Sequence, residues 1–258
     1  MPKFSANLSM MFNEVGFIER FAAAATAGFK AVEYVGPYAF PKEQVAEALL
    51  GNGLVQCLFN LPAGNWDKGD RGIACDPARV SEFQAGVGTT IDYAKALQCK
   101  TVNCLSGILP PGISRDHGLE TMAGNLAFAA KALKAEGIQL IIEPINFHDI
   151  PGFLLNTSRD GIAMIDRVAS DNLKLQYDIY HMQRMEGEIA ATVAKLLPRI
   201  GHIQIADNPG RNEPGTGELN YPFLFRHLDA IGYTGWVGAE YKPKAGTVEG
   251  LGWMKTLV

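Results

Sequence analysis

The chain is poor in cysteine, in surplus positive charge and in uninterrupted apolar sequence, and each shortage closes off a class of protein. Only four cysteines occur, at positions 57, 75, 99 and 104, with no CxxC pair among them. So few thiols in 258 residues do not build a disulfide framework, and free thiols suit a reducing cytoplasm, the expected location. No stretch approaches the roughly 18 consecutive apolar residues of a membrane span, and the opening MPKFSANLSMMFNEV, broken by Asn7 and Glu14, lacks the apolar core of a signal peptide. With 23 basic against 27 acidic residues the formal charge is −4. Nucleic acids and anionic membranes select for clustered positive charge, so neither is expected as a partner. A small anion needs only two or three local cations and is not excluded. What remains, 47% hydrophobic and 19% charged residues, is the balance of a globular chain able to bury a large core.

The pattern that fills the chain is alternation of short β-rich runs with longer helical stretches, jointed by Gly, Pro or Asn. The runs at 4–10, 31–37, 54–63, 101–107, 139–145, 173–181, 202–208 and 235–243 read as eight strands. Helical spacing appears at 17–29, 81–97, 119–137, 157–170, 186–200 and 221–231, with a further helix at the C-terminus. Strands that alternate with helices are parallel, because a parallel pair needs a crossover. Eight such units of about 32 residues fill a (β/α)8 TIM barrel of roughly 250 residues, here a single domain over 1–258. An open doubly wound sheet is the competing architecture. It would normally carry GxGxxG after the first strand, where this chain has MMFNEVGF. The long stretches 62–80, 145–157 and 206–220 follow strands three, five and seven, where a barrel builds its active site.

Charge interrupts the later strands near their carboxyl ends: Glu143 in IIEP, Asp178 in QYDI, Gln204 in HIQI and Glu240 in GAEY. Strand side chains alternate faces. If Ile203 and Ile205 pack outward on helices, His202 and Gln204 point into the barrel, and the same parity turns Gln176 with Asp178, and Gly238 with Glu240, inward. Three carboxylates cannot share a partly dry volume as bare anions. They are protonated, or paired with Arg or Lys, or gathered around a cation. Three carboxylates and an amide oxygen form an all-oxygen set suited to Mg²⁺ or Mn²⁺ rather than Zn²⁺. Any one of these residues alone reads as a salt-bridge partner, a cap or a backbone anchor. Four on consecutive strands at one level do not.

FSANLSMMF (4–12), NLPAGNW (60–66), RGIAC (71–75), IIEPIN (141–146), QYDIYHMQRMEGE (176–188), HIQIADNPGRNEPGTGELNY (202–221) and AEYKP (239–243) resemble the hydroxypyruvate isomerases, a branch of the xylose-isomerase-like TIM barrels. The resemblance runs from the first strand to GLGWM (251–254). It implies interconversion of hydroxypyruvate and tartronate semialdehyde, with Glu143 and Glu240 as the paired catalytic glutamates. It also implies Glu143, Asp178, Gln204 and Glu240 as ligands of a divalent metal. A related isomerase or epimerase, such as a 2-oxo-tetronate isomerase, would use the same residues.

Such a reaction moves a proton between C3 and C2 through a cis-enediolate, which needs a carboxylate base and a positive group on the charged oxygens. The substrate is a small anionic oxo-acid, and its carboxylate needs donors: His181, Arg211, Arg71 and Lys242 are the candidates. His181 and Arg211 lie inside the two longest matching segments. Arg71 and Lys242 read equally well as solvated loop cations. Five histidines and an acidic balance do not suit a nucleic-acid repair barrel. Leu251, Trp253 and Leu257 on the C-terminal helix could bury a contact in a homo-oligomer or close the barrel against strand one.

Overall fold

A computed structural model describes residues 1–258, and in it all eight predicted strands form and close, in sequence order, into one parallel barrel. The strands are β1 Lys3–Asn7, β2 Ala31–Tyr34, β3 Val55–Asn60, β4 Thr101–Cys104, β5 Gln139–Ile142, β6 Leu173–Asp178, β7 Ile200–Ile205 and β8 Trp236–Ala239. The longer helices between them are α1 Glu19–Thr26, α2 Lys42–Gly51, α3 Val80–Ala96, α4 Arg115–Ala135 and α5 Ser158–Val168, followed by α6 Ile179–Met185, α7 Ile189–Leu196 and α8 Tyr221–Ala230. A short α9, Trp253–Thr256, ends the chain. Closure pairs β1 with β8, so the open-sheet alternative is excluded.

The strands stop earlier than their apolar runs. Pro144, without an N–H, cannot extend the ladder beyond Glu143. At β6 the reason is the acid itself. The reading of 173–181 as one strand is corrected here: β6 ends at Asp178, whose Oδ1 accepts the N–H groups of Tyr180 (2.7 Å) and His181 (3.3 Å) and so caps α6. Helix α2, which was not among the predicted stretches, buries Val45 and Leu49 one turn apart.

Outward-facing Val, Ile, Leu and aromatic side chains of the strands pack under the helices in one continuous core. Trp253 stands edge-on to Phe4 of β1 at 4.8 Å and donates Nε1–H to the Tyr241 hydroxyl at 3.1 Å. Of the two roles left open for the C-terminal segment, this side chain takes the one that closes the barrel. Inside, the barrel is polar where many are filled with branched apolar side chains. Ser5, Asn7, Glu33, Gln56, Asn103, Gln176, Asp178, His202 and Gln204 are all buried. Register sets their levels: Asp178 pairs with Gln204, Gln204 with Gly238, and Gln176 with His202.

Candidate active site

The two floors of the interior have different electrostatics. The lower floor is built on Glu33, wholly buried, which the sequence reading missed. Its carboxylate accepts from Ser5 Oγ (2.9 Å) and Gln204 Nε2 (2.7 Å) and pairs with His202 Nε2 (2.8 Å). Burial alone would raise its pKa. The His202 charge and these hydrogen bonds outweigh burial and hold it below the usual carboxylate range. The signal was present in AVEYV, where a charge between apolar residues that pack outward must face inward. Gly238 leaves the room it needs, since a Cβ there would lie 2.6 Å from the Glu33 carboxyl carbon and closer still to its oxygens.

The upper floor is the predicted acid cluster. Ligand atoms of Glu143, Asp178, Glu240 and His181 all lie within 4.8 Å of one another. Each glutamate is steadied by an amide from the neighbouring strand, β4 for Glu143 and β1 for Glu240, another feature the reading did not foresee. Asn103 Nδ2 donates to Glu143 Oε2 at 3.3 Å, and Asn7 Nδ2 to Glu240 Oε1 at 2.9 Å. Burial raises the pKa of Asp178 to about 6 and that of Glu240 to about 7, against the opposing charge of Arg211. Glu143 is raised well above its ordinary value, first by burial and then by the charges of Glu240 and Asp178.

Arg211 supplies the counter-charge. Its Nη2 donates to Glu240 Oε2 at 2.6 Å and lies 3.9 Å from Asp178 Oδ2, with the guanidinium 5.1 Å from the Tyr180 ring centre. It stands on the β7–α8 loop at φ 52°, a left-handed backbone that is costly for a residue other than glycine and recurs at functional sites. Asp207 organises that loop by accepting the N–H groups of Gly215 and Leu219, and the Lys242 N–H holds the Arg211 carbonyl at 2.8 Å.

The structure therefore brings Glu143, Asp178, Glu240, His181 and Arg211 together. Gln204 lines the same small cavity as Glu143 and Glu240, but its Oε1 already accepts from Gln176 Nε2 at 2.5 Å. Arg71 and Lys242 are not brought in. The Arg71 guanidinium is tied to the carbonyls of Trp66 and Asp70 and lies 4.1 Å from the Trp66 ring centre, and the Lys242 side chain is exposed. Cys75 is buried, with its thiol pushed up to about 11 by that burial, which suits no nucleophile.

The donor set fits a hard cation. Glu143 Oε1 and Asp178 Oδ2 are buried and accept no hydrogen bond, and such orphaned acceptors are costly unless a positive group meets them. The cavity lined by Glu143, Gln204 and Glu240 measures about 10 Å³, on the scale of a single water-sized sphere. Nothing in the fold is a helix long and apolar enough to cross a membrane.

Comparison with known proteins bears on the family and the fold. The model of the family described as xylose isomerase-like TIM barrel matches residues 21–257. Hydroxypyruvate isomerase of Escherichia coli K12 is 52% identical over 254 residues, 98% of each chain. The 2-oxo-tetronate isomerase of Cupriavidus necator is 47% identical over 99% of this chain and 98% of its own. A crystal structure from Brucella melitensis, described as an AP endonuclease of family 2, superposes with a TM-score of 0.97 at 42% identity over 99% of both chains.

Proposed function

The chain belongs to the xylose isomerase-like TIM-barrel family, and from that premise we propose that it interconverts hydroxypyruvate and tartronate semialdehyde. It is an enzyme, an isomerase of the aldose–ketose kind. The observation that carries the proposal is the pair Glu143 and Glu240, both raised in pKa, each held by an amide and facing one small volume with Asp178.

The reaction takes a proton from C3, passes through a cis-enediolate and returns a proton to C2, while the hydroxyl and carbonyl exchange places. In the metal-free site burial lifts the Glu240 carboxyl to about 7, and a carboxyl group near neutrality both accepts and gives a proton. Glu240 and Glu143 divide these tasks, one at carbon and one at oxygen. The Arg211 guanidinium and His181 meet the substrate carboxylate and charged oxygens. Glu143, Asp178, Gln204 and Glu240 would hold a divalent ion, Mg²⁺ or Mn²⁺, which when bound supplies positive charge beside the enediolate oxygens. To serve as a ligand, Gln204 must use the second lone pair of its oxygen, the first being taken by Gln176.

Glu240→Gln should keep the fold and lose at least a hundredfold in kcat, the span of general base catalysis. Near-normal turnover by that variant sinks the two-carboxylate scheme. Treatment with EDTA should abolish turnover, and Mg²⁺ or Mn²⁺ should restore it. A second reading, isomerisation of a 2-oxo-tetronate, is favoured by the 47% identical relative of that name. Parallel assays on hydroxypyruvate and 2-oxo-tetronate, with products identified by NMR, decide between them through kcat/KM.

A further inference from the structure

We propose that Asn146 is a positioning residue that fixes the tautomer of His181, so that the imidazole presents Nε2–H as a hydrogen-bond donor between the carboxylates and not a lone pair for a metal ion. The proposal deepens the isomerase reading and rests on it for the identity of the acceptor, an oxygen of the oxo-acid. The tautomer itself stands on the hydrogen-bond network alone.

Asn146 is wholly buried at the start of the β5–α5 loop, three residues beyond Glu143. Its Oδ1 accepts the N–H of Asp149 at 2.9 Å, and its Nδ2 donates to Asp149 Oδ2 at 3.1 Å. Turning the amide over would set oxygen against carboxylate and N–H against N–H. One residue therefore determines which way the amide points. The same Nδ2 lies 2.6 Å from His181 Nδ1. An amide nitrogen has no lone pair to offer, so Nδ1 must be the acceptor and the ring proton sits on Nε2. Asp149 is not free to rearrange, because Arg184 pairs with it and the Tyr180 hydroxyl reaches it at 3.4 Å.

Nε2 faces Asp178 Oδ2 at 3.5 Å and Glu143 Oε1 at 3.7 Å, neither of which accepts a hydrogen bond. It also lies 3.4 Å from Arg211 Nη2, a donor that would ask Nε2 to accept, but that contact is long, Nη2 already donates to Glu240 Oε2 at 2.6 Å, and the 2.6 Å contact at Nδ1 is far the shorter and sets the tautomer. These distances are too long for good hydrogen bonds, so the N–H stays available to an oxygen that enters between them. His181 is one of the four side chains whose ligand atoms cluster within 4.8 Å. Its tautomer removes it from the ligand set and leaves the fourth position to Gln204. A donor already aimed where charge develops stabilises that charge without reorganisation.

The test reads the ring nitrogens directly. Protein labelled with ¹⁵N-histidine, free of substrate, should show His181 protonated at Nε2 and bare at Nδ1, with the signal assigned through its loss in His181→Gln. Asn146→Asp replaces the donor with an acceptor and should reverse the pattern, with a loss in kcat of tenfold or more that exceeds any change in KM. Asn146→Leu, which offers neither, should leave a mixed tautomer. In Mn²⁺ titrations by calorimetry, His181→Gln should stay within about threefold of wild type, while Gln204→Ala should lose tenfold or more, the scale of a lost metal partner. Wild-type His181 protonated at Nδ1 overturns the proposal even if no variant folds, and so does a metal affinity that collapses in His181→Gln. Absence of turnover on either oxo-acid with the expected spectrum would defeat the isomerase reading and leave the tautomer intact.

Discussion

Gly238→Ala tests whether the buried acid beneath the active site supports it. The position is buried in β8, in register with Gln204 of β7 and Ser5 of β1. The added methyl would meet the Glu33 carboxyl carbon at 2.6 Å, so Glu33 must move. It cannot move freely, because Ser5, His202 and Gln204 hold it from three sides at 2.7–2.9 Å. Overfilling a packed core costs about 1–3 kcal/mol, and breaking a buried ion pair about 3–5 kcal/mol. The backbone entropy gained by replacing glycine offsets only about 0.4–1 kcal/mol. A net loss of roughly 3–8 kcal/mol lowers the Tm by about 6–30 °C in a chain of this size. Activity should fall as well, because the Gln204 amide that reaches the acid cluster is anchored on Glu33. Urea and thermal unfolding followed by circular dichroism, with turnover on the same samples, measure both. Glu33→Asp in the same background, shorter by one methylene, should recover part of the stability. A Tm for Gly238→Ala within about 2 °C of wild type would refute the reasoning, since it would mean that the lower floor yields without cost.

In metal-free protein, Asp178 at about 6, Glu240 at about 7 and the raised Glu143 make the folded state bind more protons than the unfolded chain above roughly pH 4. The stability these groups contribute is complete below that pH and is lost as pH rises through 6 to 7. Glu33, held low, acts oppositely, since its contribution is present near neutrality and lost on acidification. Denaturant midpoints in EDTA should therefore fall from pH 5.5 to 7.5, and saturating Mn²⁺ should flatten the fall; a midpoint that rises across that window contradicts the raised acids. Arg211→Ala removes the counter-charge of Glu240 and should destabilise metal-free protein by about 3–5 kcal/mol, with much of the loss restored by Mg²⁺ or Mn²⁺ and with KM raised for the anionic substrate. Equal destabilisation with and without metal in a thermal shift assay would show that the guanidinium does not screen this cluster.

The acid cluster was legible because strand parity has a period of two, and the later strands each carry one polar interruption at the same height. Glu33 could have been found by the same parity applied to the second strand. Asn7 and Asn103 carry less signal, because an asparagine at a strand end is also an ordinary turn residue. Arg71 shows the opposite limit. A loop arginine near a predicted site has several carbonyls and an aromatic ring within reach, and here its own loop satisfied it.

Alternating periodicity determined the succession of eight strands and their helices and the inward face of the later strands, since those follow from local geometry that each residue carries with it, whereas closure of β8 on β1 did not follow from it. Which of Arg211, His181, Arg71 and Lys242 reach the acids, and how Asn146 sets the imidazole, was decided only by closure of the cylinder. Hydrogen-bond partners such as Asn146 and His181, or Asn7 and Glu240, are separated by 35 and 233 residues. Their meeting depends on register and loop path, which no local pattern encodes.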